Sequence, residues 1–136
     1  MLLKLENYSL APIAGLLGGL PLSGRASRGR TKLIKLLDDK IKDVQVYQEE
    51  LVGKYLEKNS VGETESFTYK DEESEVAYNK ELIELVNDLS TINLTEYSTE
   101  MKALLEGLLD TEVKFKEEEA FMYDKICEGL EMGLEE

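Results

Sequence analysis

The 136-residue chain has no histidine and no tryptophan, and only one cysteine, two prolines and three phenylalanines. Each scarcity excludes a class of function. Without histidine, the usual general base and the commonest transition-metal ligand are both missing, so serine-type triads and histidine-containing zinc sites drop out. The lone Cys127 forbids an intramolecular disulfide and fits a reducing compartment. Its neighbours are acidic rather than cationic, so it reads as a small buried hydrophobe and not as an activated nucleophile. Long apolar runs are also lacking. Residues 10–22 come nearest, but Pro12, Pro21 and several glycines interrupt them. They are too short to cross a bilayer, and Glu6 spoils a basic leader, so neither a membrane span nor a signal peptide is expected.

What is abundant is negative charge. Twenty-nine Asp and Glu against sixteen Lys and Arg leave a net charge of −13. Hydrophobic residues at 42% and charged residues at 33% are nonetheless globular values, so one domain over residues 1–136 is expected, built mostly from Leu, Ile, Val and Tyr. The charge is unevenly placed. Residues 1–35 carry six cations and one acid, whereas residues 36–136 carry ten cations and 28 acids. All three arginines fall in Ser23–Lys35.

The pattern of apolar residues predicts a mostly α fold of the α+β kind. Leu3-Lys4-Leu5-Glu6 alternates as a strand, and Asn7 or Ser9 is placed to cap a helix running to Leu17. Gly18-Gly19-Leu20-Pro21 ends it. Leu33, Leu37, Ile41, Val44, Tyr47, Leu51 and Tyr55 then recur by threes and fours, predicting one long amphipathic helix over about 24–58, closed by turn chemistry at Asn59–Glu63. Residues 63–75 read as an acidic loop or a brief edge strand, the most disorder-prone part of the chain. Helical spacing resumes from Glu75 to Leu89. Ile92–Thr95 and Val113–Lys116 each alternate as a strand before a helix, so a small sheet of two or three strands is expected. An all-α bundle is the alternative, with the short strand signals becoming helix entries.

The candidate functional residues are Arg25, Ser27, Arg28, Arg30, Thr31, Lys32 and Lys35. On a helix Arg25, Arg28, Lys32 and Lys35 share one side, and Arg30 projects elsewhere. Cations in a first turn oppose the helix dipole, so something should compensate them. Three partners fit: the chain's own carboxylates, such as Asp38 and Asp39 one turn on; a phosphorylated small molecule held by arginine forks and the Ser and Thr hydroxyls; or an acidic protein, including a second copy of this chain. Gly19-x4-Gly24-Arg25-Ala26 only outlines a phosphate-binding P-loop, since Arg and Ala replace the lysine and hydroxyl residue that the motif needs. Direct nucleic-acid binding is not expected, because the rest of the surface repels phosphates. The acidic runs Asp71–Glu73 and Glu117–Glu119 leave an acidic nucleic-acid mimic as a further alternative. No metal-ligand spacing is present, and no cofactor is expected.

The order Leu3-Lys4-Leu5-Glu6-Asn7, an apolar helix, Leu22-x-Gly24-x-x-Ser27-Arg28-x-Arg30-Thr31-Lys32-Leu33 and a long charged helix resembles a family of small uncharacterised phage and prophage proteins of low-GC Gram-positive bacteria. The resemblance covers about the first 60 residues and implies a setting without a mechanism: the bacterial cytoplasm, and a phage accessory gene. In that setting the expected function is non-enzymatic binding, inhibiting a host defence factor by protein contact or by sequestering a phosphorylated small molecule. An oligomeric virion structural or assembly protein is the alternative.

Overall fold

The computed structural model of the chain describes residues 1–135. Its core is assembled around a short two-stranded sheet. Strand β1 (Leu2–Glu6) pairs antiparallel with β4 (Leu89–Asn93), the register setting Leu3 opposite Ile92 and Leu5 opposite Ser90. Alternation sends Leu3, Leu5 and Ile92 inward, where all three are buried.

Helix α1 (Asn7–Gly18) leaves β1 without a loop and buries Leu10, Ile13 and Leu17. Helix α2 (Gly24–Tyr55) is 32 residues long, or about 48 Å at 1.5 Å per residue. Its first half buries Gly29, Leu33 and Leu37 against α1 and against α4 (Ser98–Leu109), which supplies Met101, Leu104 and Leu108. Helix α5 (Glu117–Leu134) closes the core with Ile126, Cys127 and Leu130. It reaches β1 closely because its contact positions are glycine: a Cβ at Gly129 would lie 2.7 Å from the Leu3 side chain, and one at Gly133 2.7 Å from the Leu2 carbonyl oxygen.

Beyond Leu37, α2 has no buried residue. Ile41 and Val44 still pack half-buried against the core, and past them the helix continues as an arm, completed by strands β2 (Leu56–Val61) and β3 (Thr64–Tyr69) and by α3 (Glu72–Asn87), which returns along α2. Neither strand of this hairpin nor α3 contains a buried residue. Tyr69 and Tyr78 meet edge to face at 5.7 Å, joining the hairpin to α3.

The mostly α reading with a small sheet is the one observed, as is the brief exposed strand expected within residues 63–75, and three details differ from the sequence expectation: the end of the long helix, the start of the next one, and the segment Val113–Lys116. The long helix stops at Tyr55, and Leu56–Val61 forms a strand, turned back by Gly62 in the left-handed conformation (φ 64°). Residues 63–75 accordingly hold β3 and the first turn of α3, the latter capped by Asp71, whose carboxylate accepts the Ser74 N–H at 2.7 Å. Val113–Lys116 is not a third strand. Helix α5 already occupies the side of β1 at Leu2, and the segment instead serves to stack Phe115 on Tyr123 at 4.5 Å.

The expected capping of α1 is also different. Glu6 is the N-cap residue and offers no side-chain bond. Ser9 instead donates to the Glu6 carbonyl at 2.7 Å. Asn7 ties the arm to the core: its amide donates to the Leu85 carbonyl at 2.8 Å, its backbone N–H donates to the Asp88 carbonyl at 2.9 Å, and its side-chain oxygen accepts from Ser90.

Candidate functional site

The sequence Pro21-Leu22-Ser23-Gly24 turns the chain sharply from α1 into α2, with Gly24 at φ 58°, a conformation that favours glycine. Ser23 is the N-cap residue but makes no side-chain cap, and the first turn of α2 has no acid. A cation replaces the usual helix-start carboxylate, so the dipole of α2 is uncompensated by local sequence.

Rotation of this helix is fixed from behind. A Cβ on Gly29 would overlap the Glu100 carbonyl of α4, and one on Gly107 would come within 3.0 Å of the Ala26 Cβ. With Ala26 and Gly29 pressed on α4, and Leu33 and Leu37 in the core, the opposite side of α2 must face outward. Arg25, Arg28, Thr31 and Lys35 lie on that side and are exposed.

The seven candidate residues therefore divide. Arg30, two positions from Arg28, points back across the turn and donates to the Leu20 carbonyl and to the Ser27 hydroxyl, the latter at 3.0 Å. It clamps the α1–α2 connection. Ser27 is half-buried under this bond, and its carbonyl accepts from the Thr31 hydroxyl at 3.2 Å. Lys32 is also half-buried and lies 4.9 Å above the centre of the Tyr97 ring, a cation–π contact between α2 and the short 3-10 turn Thr95–Tyr97. What remains free for an external partner is the row Arg25, Arg28 and Lys35, with Thr31 between.

Neutralisation by the chain's own acids, the first partner expected from the sequence, does not occur among the described residues. The ion pairs there are Lys54–Glu81 at 3.8 Å, Lys58–Glu65 at 2.9 Å and Lys125–Glu6 at 3.0 Å, and none includes an arginine. Asp38 and Asp39 are exposed and join no ion pair.

The surroundings also bear on a phosphate. A groove of about 700 Å³ opens beside the start of α2, between Pro21, Ser23 and Ala26 on one side and Glu106, Asp110 and Glu112 on the other. Three carboxylates on its wall repel an anion, so the concave part of this region is electrostatically wrong for phosphate. The cationic row, by contrast, lies on the convex outer side of a helix.

Elsewhere the chemistry is quiet. Cys127 is buried, and burial pushes its thiol above the ordinary range, away from the reactive thiolate. Tyr123 donates to the Leu108 carbonyl, and its own acidity is lowered chiefly by burial. No group of acidic or cysteine side chains among the described residues is placed to hold a metal ion, and no described helix is long and apolar enough to cross a membrane. The sequence reading passed over one surface, the outward side of α3, where Val76 and Ile83 are exposed. The signal was there: apolar residues between Glu75 and Leu89 are too many for one helix face.

Compared with protein-family models, with curated proteins and with solved structures, the chain matches none.

Proposed function

We propose that this chain acts without catalysis, as a binding protein of the phage accessory kind that its first 60 residues resemble. The row Arg25, Arg28, Thr31 and Lys35 on α2 docks an acidic surface of a host protein and blocks it. The observation that carries this reading is that three exposed cations stand together on one side of α2, unpaired among the described residues and with no acid in that helix's first turn, in a chain with 29 acids. A strongly acidic chain has abundant means to neutralise such a row, and leaving it open favours an external anionic partner. Its convex helical setting supports a protein surface over a small phosphorylated molecule, which binds best in a concave site.

The test compares the native chain with Arg25→Ala/Arg28→Ala/Lys35→Ala as bait in extracts of the bacterial host. A partner retained by the native chain and lost by the variant, with unchanged melting temperature, supports the reading. Equal retention by both sinks it. In parallel, a panel of nucleotides should leave the melting temperature of the native chain unshifted, because a bound ligand raises it by mass action. A shift abolished by the same substitutions would replace the protein partner with a phosphorylated small molecule.

A further inference from the structure

Helix α3 has two apolar sides. One, formed by Tyr78, Leu82 and Leu85, is half-buried along the arm. The other is Val76, Asn79, Ile83 and Val86, spaced by three, four and three residues, which brings them into a single stripe. Val76 is 70% exposed and Ile83 60% exposed; Asn79 is exposed, and Val86 is half-buried. Nothing within the described chain covers Val76, Asn79 or Ile83, and Val86 marks the end of the stripe that the arm partly shields.

Its spacing is that of a helix seam, with β-branched Val76 and Ile83 at the first position of successive heptads and Asn79 and Val86 at the fourth. β-branched residues at the first position suit a two-stranded pair, and in a parallel, in-register pair Asn79 meets its own counterpart, with which its amide can hydrogen-bond. Glu75 and Lys80 flank the stripe on opposite sides, five residues apart; both are exposed and join no ion pair among the described residues. In a parallel pair of such helices, position 75 of one faces position 80 of the other. Two Glu–Lys contacts then form by symmetry. An antiparallel pair would set Lys80 against Lys80 and forfeit both. One turn before Val76 the stripe carries Glu72, which bounds the seam because two carboxylates face each other there.

We propose that the occupant of this face is a second copy of the chain, the two α3 helices pairing in parallel and in register through Val76, Asn79, Ile83 and Val86. The helix is already formed and held along the arm, so pairing orders little new chain, and the small seam makes a reversible dimer. This dimer is independent of the partner proposed for α2, whose row lies on another helix.

Sedimentation equilibrium of the full chain tests it. A concentration-dependent dimer is expected, with Val76→Glu/Ile83→Glu leaving a monomer of unchanged helicity whose melting temperature matches that of the native chain at dilutions where it too is monomeric. Glu75→Lys alone should weaken association about tenfold, and Glu75→Lys with Lys80→Glu should restore it. Asn79→Cys, in a Cys127→Ala background, should cross-link two chains on oxidation, since parallel register brings position 79 opposite itself. A monomer at every concentration, a dimer indifferent to Val76 and Ile83, or a charge swap that fails to restore association would each overturn the proposal.

Discussion

Arg28 and Arg30 are separated by one glycine, and roughly 200° of helix rotation gives them different work. Arg28 points to solvent, whereas Arg30 fastens the end of α1 to the start of α2 through the Leu20 carbonyl. The same economy appears at Glu6 and Lys125, which join β1 to α5 at 3.0 Å, with the Lys125 ammonium 5.3 Å from the centre of the Tyr8 ring. A backbone hydrogen bond at Glu6 and then Lys125 hold the Glu6 carboxyl below its ordinary value of 4.5. Tyr8 and Glu6 raise Lys125 above 10.5. The stabilisation is therefore complete between pH 4.5 and 10.5; it fades as pH falls through the folded value of Glu6 and as it rises through that of Lys125. Lys125→Met should cost at most about 1 kcal/mol near neutral pH. Urea titrations across pH should show the native–variant gap closing at both extremes, and a constant gap would mean that Lys125 acts by packing alone.

At the scale of elements, α2 is two helices in energetic terms. Its periodicity is visible from Leu33 to Tyr55, and the sequence reading of one amphipathic helix is right about direction and face. It could not show where burial ends, because Leu37 and Leu51 contribute equally to the pattern while only Leu37 lies in the core. The hairpin was hidden for a related reason: Leu56 continues the helical spacing, and Gly62, taken as a helix stop, is a strand reversal. The cationic row was readable because rotation per residue alone places it. The internal uses of Arg30 and Lys32 were not, since they depend on Leu20 and Tyr97 arriving from other elements. The division of α2 has a measurable consequence. Leu37→Ala should destabilise the fold by about 2–5 kcal/mol, whereas Leu51→Ala should cost about 1 kcal/mol or less. Hydrogen exchange should likewise be faster from Gln45 to Tyr55, past the half-buried Ile41 and Val44, than from Ala26 to Leu37. Equal costs at the two leucines would show that the arm is covered in solution along α2 as well.

The whole molecule combines a cationic face on α2 with an acidic remainder, and salt acts on these in opposite senses. A net charge of −13 repels itself, and the three ion pairs among the described residues, all at least partly exposed, return little of that energy. Screening extends over about 10 Å at 0.1 M salt, so added sodium chloride relieves the crowding of like charges over most of the surface. The fold should become more stable, with the melting temperature rising by about 2–5 °C between low and physiological ionic strength. A complex held by Arg25, Arg28 and Lys35 should weaken over the same range, because its attraction is between exposed charges. Thermal melts and partner binding measured in the same salt series separate the two effects. A melting temperature that falls with salt would mean that attractive contacts among exposed charges outweigh the repulsion, and a salt-indifferent complex would place its contacts away from the cationic row.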